Sequence, residues 1–91
     1  MLIADMLGSL PDQLTEAAGA LAQEDWIRLR EVAHRIKGAT AVCAVPALHH
    51  AVCELQRVAR EADASRARPW LDRIDGERRR LTAEQEDHPS G

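Results

Sequence analysis

Four histidines, two cysteines and one lysine hold most of the chemistry open to this 91-residue chain. His34 lies in the run Ala33-His34-Arg35-Ile36-Lys37-Gly38, with Arg30 four residues before it and Lys37 and Gly38 three and four after. On a helix, residues three and four apart are neighbours, so an imidazole, two cations and a bare backbone position would share one face. A neutral imidazole offers a lone pair to an electrophile. An ammonium one turn away suits the oxygens of a phosphoryl group carried on that ring. Gly38 and Ala41 remove side-chain bulk where a partner delivering such a group must come close, and Ile27, two turns before His34, offers an exposed apolar contact. A glycine in a helix interior costs about 1 kcal/mol relative to alanine, so Gly38 asks for a packing or functional reason. The spacing alone fits an ordinary solvated helix face equally well.

A second constellation is His49, His50 and Cys53. His49 and Cys53 have the i, i+4 spacing of metal ligands, but two ligands on one helix do not complete a site. Only Cys43 or His88 could add to them. The simpler reading has no metal, with partly exposed histidines beside a small buried thiol. Two cysteines do not make a disulfide scaffold either.

The elements that must position these groups are helices. Ile3, Leu7, Leu10, Leu14, Ala17 and Leu21 recur at helical spacing, and Pro11 within that stripe predicts a continuous but bent first helix. Asp25 is placed to cap a second helix, over Trp26–Cys43, whose apolar face uses Trp26, Leu29, Ala33, Ile36, Thr40 and Cys43. His34 falls about 100° round from Ala33, toward solvent. Pro46 opens a third helix with the stripe Leu48, Val52, Leu55, Ala59 and Ala62. Asp63-Ala64-Ser65 reads as a break, and Trp70, Ile74, Arg78 and Leu81 give a weaker fourth helix. No apolar residue occurs from Glu84 to Gly91. The expectation is an all-α, antiparallel four-helix bundle over residues 1–83, with up-and-down helices, and a disordered polar tail over 84–91.

Composition narrows the function classes. Phe and Tyr are absent and there are two Trp, so the core must be aliphatic, which suits helix-on-helix packing. A net charge of −3 argues against nucleic acid as a partner, and Arg78, Arg79 and Arg80 read as a solvated helix end. No run approaches the roughly 18 apolar residues of a membrane span. No basic leader precedes an apolar stretch, and no glycine-rich nucleotide loop is present. A cytoplasmic, monomeric domain that makes no direct membrane contact and does not use ATP itself is expected.

The stretch Ala33-His34-Arg35-Ile36-Lys37-Gly38-Ala39-Thr40-Ala41 resembles the signature of histidine phosphotransfer (HPt) domains: a His, an apolar residue two on, Lys-Gly, then small residues. Leu10-Pro11-Asp12-Gln13-Leu14, Glu24-Asp25-Trp26, Leu48 and Cys53-Glu54-Leu55 extend the likeness over roughly Leu2 to Arg60. The resemblance implies that His34 is phosphorylated through Nε2, that Lys37 interacts with the phosphoryl group, and that Gly38 makes room for a receiver domain. It implies response-regulator receiver domains as partners, with Mg²⁺ supplied by the receiver and no cofactor in this chain. The chain would be a phosphocarrier with no autonomous kinase activity. Ala44 stands where many members have a second Gly, and Val42 where many are polar, which bears on partner preference. Members usually carry a further helix before the one at Leu2. The polar end and that missing helix favour the C-terminal HPt domain of a hybrid sensor histidine kinase over a free-standing carrier. A helical interaction module in which His34 is incidental is the competing reading.

Overall fold

In the computed structural model of the chain, which describes residues 3–87, the apolar rhythm becomes four helices. They are α1 (Ile3–Ala22), α2 (Trp26–Cys43), α3 (Pro46–Arg60) and α4 (Ala64–Asp87). Links of two or three residues join them, so successive helices must reverse direction and lie side by side. Each helix packs on its chain neighbours and α1 closes the ring against α4, while the diagonal pairs make no close backbone approach. The result is an all-α four-helix bundle measuring 46 × 19 × 19 Å.

Local chemistry explains each boundary. Asp25 caps α2 by accepting a hydrogen bond from the Arg28 amide at 3.2 Å, satisfying a donor that the first turn leaves unpaired. Pro46 occupies the first turn of α3, where a missing N–H costs nothing. The fourth helix starts at Ala64, well before its apolar stripe, because Asp63 caps it. The Asp63 carboxylate accepts from the Ser65 amide at 3.1 Å, the Ser65 hydroxyl at 2.8 Å and the Arg66 amide at 3.3 Å. Pro11 and Pro69 both lie inside helices that continue through them.

Two expectations need correction. The residues from Glu84 to Asp87 continue α4 rather than forming a tail. Glu84 and Gln85 are good helix formers, and the Arg80 guanidinium donates to Glu84 at 2.7 Å one turn back, so the helix needs no core contact to extend. Residues 88–91 of the expected tail, and Met1 and Leu2, lie outside the described residues. Ala62 is not on the α3 core stripe. It is exposed in the link after that helix with φ 54°. Ala44, which ends α2, and Glu24 take the same left-handed conformation, at φ 54° and 53°.

The core is almost wholly aliphatic. Leu10, Leu29, Ile36, Leu48, Leu55 and Ile74 are fully enclosed, together with smaller Val and Ala residues from every helix. On α2 the buried arc is Leu29, Val32, Ala33, Ile36 and Thr40, with Trp26 and Cys43 half-buried at its ends. That arc fixes which face of α2 is left to solvent, and therefore where His34 points.

Candidate functional site

Burial of Ala33 and Ile36 turns His34 outward, and its imidazole is exposed. It stands on a shallow groove of about 460 Å³ between α2 and α3. Ile27, Arg30, Glu31 and Arg35 line the α2 side, and Gln56 and Arg60 the α3 side. Of the six residues expected at the site, the groove brings together His34, Arg30 and Ile27. Lys37, Gly38 and Ala41 do not line it. They continue the same side of α2 over the next two turns, with Lys37 half-buried and Gly38 and Ala41 exposed. Ile27 is 67% exposed, and so is Val42 near the far end of the helix.

Charge is distributed unevenly around this groove. Most arginines are paired: Arg28 and the groove-lining Arg35 with Glu16 of α1 at 3.1 and 3.3 Å, Arg57 with Glu54 and Glu61, and those of α4 with carboxylates on α4 or at the end of α3. Among the described residues, the cations that make no ion pair are Arg30, Lys37 and Arg60. Each of the three belongs to the groove or to the turn of α2 that follows His34. Solvated ion pairs of this kind add little stability, but pairing does neutralise a charge locally. The positive charge left over for an incoming anion is therefore gathered around His34, offset only by Glu31. An exposed imidazole with cationic side chains on its groove and on the next turn of its helix is an arrangement that can take up and hold a phosphoryl group.

Gln56 and Arg60 were missed by the sequence reading, although a signal existed. Gln56 follows Val52 by four residues and so sits within the apolar arc of α3. It is 9% exposed and, with Thr40, one of two buried polar side chains among the described residues. Among the described residues its amide makes no hydrogen bond and no buried side-chain polar atom lacks a partner, which leaves that amide open to the groove. Arg60 is one turn further on the same side.

The glycine is not explained from within the molecule. A Cβ built on Gly38 would meet nothing within 4 Å, and its φ is negative. Neither packing nor backbone conformation requires glycine there. Gly8, Gly19 and Gly76 have equally open surroundings, so open space alone does not mark a site. Gly38 differs by its place one turn beyond His34.

Among the described residues, no group of three or more His, Cys, Asp or Glu side chains converges, and His88 lies outside them. His50 instead packs edge-on against Trp70 of α4, with ring centroids 5.7 Å apart. No helix among the described residues is long and apolar enough to cross a membrane.

The fold is thus an all-α four-helix bundle that presents a solvent-facing histidine on α2. The Hpt domain family matches residues 1–85, and the chain belongs to that family. Its members serve histidine phosphotransfer in phosphorelays and generally interact with the receiver domains of response regulators. Searches among curated proteins and among solved structures returned no match.

Proposed function

We propose that this chain is a phosphocarrier in which His34 takes a phosphoryl group from a receiver-domain aspartate and passes it to another receiver. The carrying observation is the exposed His34 on a groove whose surroundings hold Arg30, Lys37 and Arg60, the cations that make no ion pair among the described residues. In the forward step the Nε2 lone pair of His34 attacks phosphorus in line, the bond from phosphorus to the aspartyl oxygen breaks, and the carboxylate stays on the receiver. Mg²⁺ and most of the charge stabilisation come from the receiver. Arg30, Lys37 and Arg60 hold the equatorial oxygens of the transferred group, and the Gln56 amide offers a hydrogen bond from α3. Ile27 with Gly38 and Ala41 form the surface on which the receiver sits. The carrier makes no nucleotide chemistry of its own, and its natural setting is a cytoplasmic phosphorelay, as the C-terminal part of a hybrid sensor kinase.

The test is transfer of label from a phosphorylated receiver in the presence of Mg²⁺. Acid-labile label should appear on this chain and be lost in His34→Gln, while Lys37→Ala and Arg60→Ala should accept it more slowly with an unchanged fold. Exposed Ile27 also suits a docking module without transfer. Binding of receivers with no label gained from any of several candidates would favour that second reading.

A further inference from the structure

Outside the His34 groove, a second chain of polar groups links α3 to α2. The Thr40 hydroxyl lies 3.1 Å from the Lys37 carbonyl and 2.8 Å from His49 Nδ1, and His49 Nε2 lies 3.5 Å from Cys53 Sγ. Thr40 is 1% exposed, whereas His49 and Cys53 are half-buried. The direction of the bonds follows from counting hydrogens. Thr40 has one hydroxyl hydrogen. If it goes to the Lys37 carbonyl, the Thr40 oxygen must accept from the Nδ1–H of His49. That puts the imidazole lone pair on Nε2, where it accepts from the Cys53 thiol. This tautomer makes three hydrogen bonds and the opposite one makes two, so it is the favoured state.

The outcome is a thiol, a base aimed at it, and a third group that orients the base, which is the general arrangement of an activated nucleophile. The geometry points to Cys53 as a peroxide-reactive thiol activated by His49. Nε2 takes the thiol proton, and the thiolate then attacks one oxygen of hydrogen peroxide. The S–O bond forms as the O–O bond breaks, sulfur is oxidised by two electrons to the sulfenic acid, and the departing hydroxide takes the proton from the His49 imidazolium to leave as water. A small oxidant suits a half-buried sulfur. Arg57, one turn on from Cys53, is tied to Glu54 and Glu61, so His49 is the group that activates the thiol.

Cys43 serves as an internal comparison. It is likewise free and half-buried, but no hydrogen-bonded base accompanies it among the described residues. The folded wild-type protein is treated with hydrogen peroxide, sulfenic acid is trapped with a dimedone-type reagent, and labelled peptides are quantified against time. A base placed to take the proton as the nucleophile attacks speeds the step, and His49 is so placed at Cys53 while Cys43 has no such partner among the described residues. Cys53 should therefore be labelled about tenfold faster than Cys43. In His49→Gln its rate should fall to that of Cys43, and in urea the two wild-type rates should converge. Equal rates in the folded protein would overturn the assignment. So would a Cys53 rate that His49→Gln leaves unchanged, or an advantage that persists in urea. The wild-type comparison and its urea control stand even if the variant fails to fold, and neither depends on phosphoryl transfer.

Discussion

Replacing Gly38 by alanine separates what the bundle needs from what a partner needs. The position is in the interior of α2, its φ is negative, and the added Cβ would meet nothing within 4 Å. The change therefore carries no steric cost in the isolated chain. It recovers the difference in helix propensity, about 1 kcal/mol, which for a domain of this size raises Tm by about 4–8 °C. Receiver docking on this face gives the opposite sign for function, because the methyl group occupies space one turn from His34. A loss of about 1.4 kcal/mol in the transfer transition state corresponds to about tenfold in rate. Thermal unfolding followed by circular dichroism, alongside label transfer from a phosphorylated receiver, reads both quantities on one preparation. Gly76→Ala is the control: it too lies within a helix with open surroundings, but on α4, away from the His34 groove. It should stabilise to the same extent and leave transfer unchanged. A Gly38→Ala protein that is more stable and transfers at the wild-type rate would refute a partner-imposed glycine. A lower Tm would refute the open-space geometry.

Further expectations concern the links, the core and one cap. Ala44→Gly should stabilise by about 0.5–1 kcal/mol, since relief of the left-handed alanine outweighs the entropy that glycine adds to the unfolded chain. A denaturant midpoint that moves down would contradict the φ of 54° at that residue. Leu55→Ala removes a fully enclosed side chain and should cost about 2–5 kcal/mol, read from the same unfolding curves. His34→Gln should cost under about 0.5 kcal/mol, as an exposed change away from the core does, so its loss of labelling cannot be put down to unfolding. The Ser65 hydroxyl, with the Ser65 and Arg66 amides, holds the Asp63 carboxyl below its ordinary range. Its folded pKa is depressed, so the contribution is present above the unfolded carboxylate value of about 3.9 and disappears as pH falls through the lower folded value. Asp63→Ala should be less stable than wild type at neutral pH, with the gap closing in acid. A gap that stays constant down to the acid limit would show that the charge of Asp63 plays no part.

Much of the architecture could be read directly from residue spacing. The α2 limits Trp26 and Cys43 and the Asp25 cap follow from local chemistry, because a helix start needs a side-chain acceptor and an amphipathic stripe needs a core. The outward position of His34 follows from its 100° offset from Ala33. The start of α4 was less legible. Its apolar stripe is weak, and the decisive feature is the Asp63 cap, placed some residues ahead of that stripe. Its continuation past Glu84 carries no apolar signal, because helix propensity and an Arg80–Glu84 pair sustain a polar helix.

The site divides along the same line. The sequence by itself determined that His34, Arg30, Lys37 and Gly38 share one side of a helix, since 3.6 residues per turn leaves no alternative once the buried face is known. Only the tertiary structure decided what lies opposite. Gln56 and Arg60 reach the groove because α3 packs against α2 in one register, and no periodicity within either helix encodes that register. The bond between Thr40 and His49 has the same origin: these residues, nine apart in the chain, meet only because the link at Ala44 and Val45 folds α3 back along α2, whereas His49 and Cys53 are neighbours by helical spacing alone. That Arg30, Lys37 and Arg60 make no ion pair among the described residues was likewise invisible in the composition, because whether a charge is neutralised depends on which carboxylates the packing brings within reach.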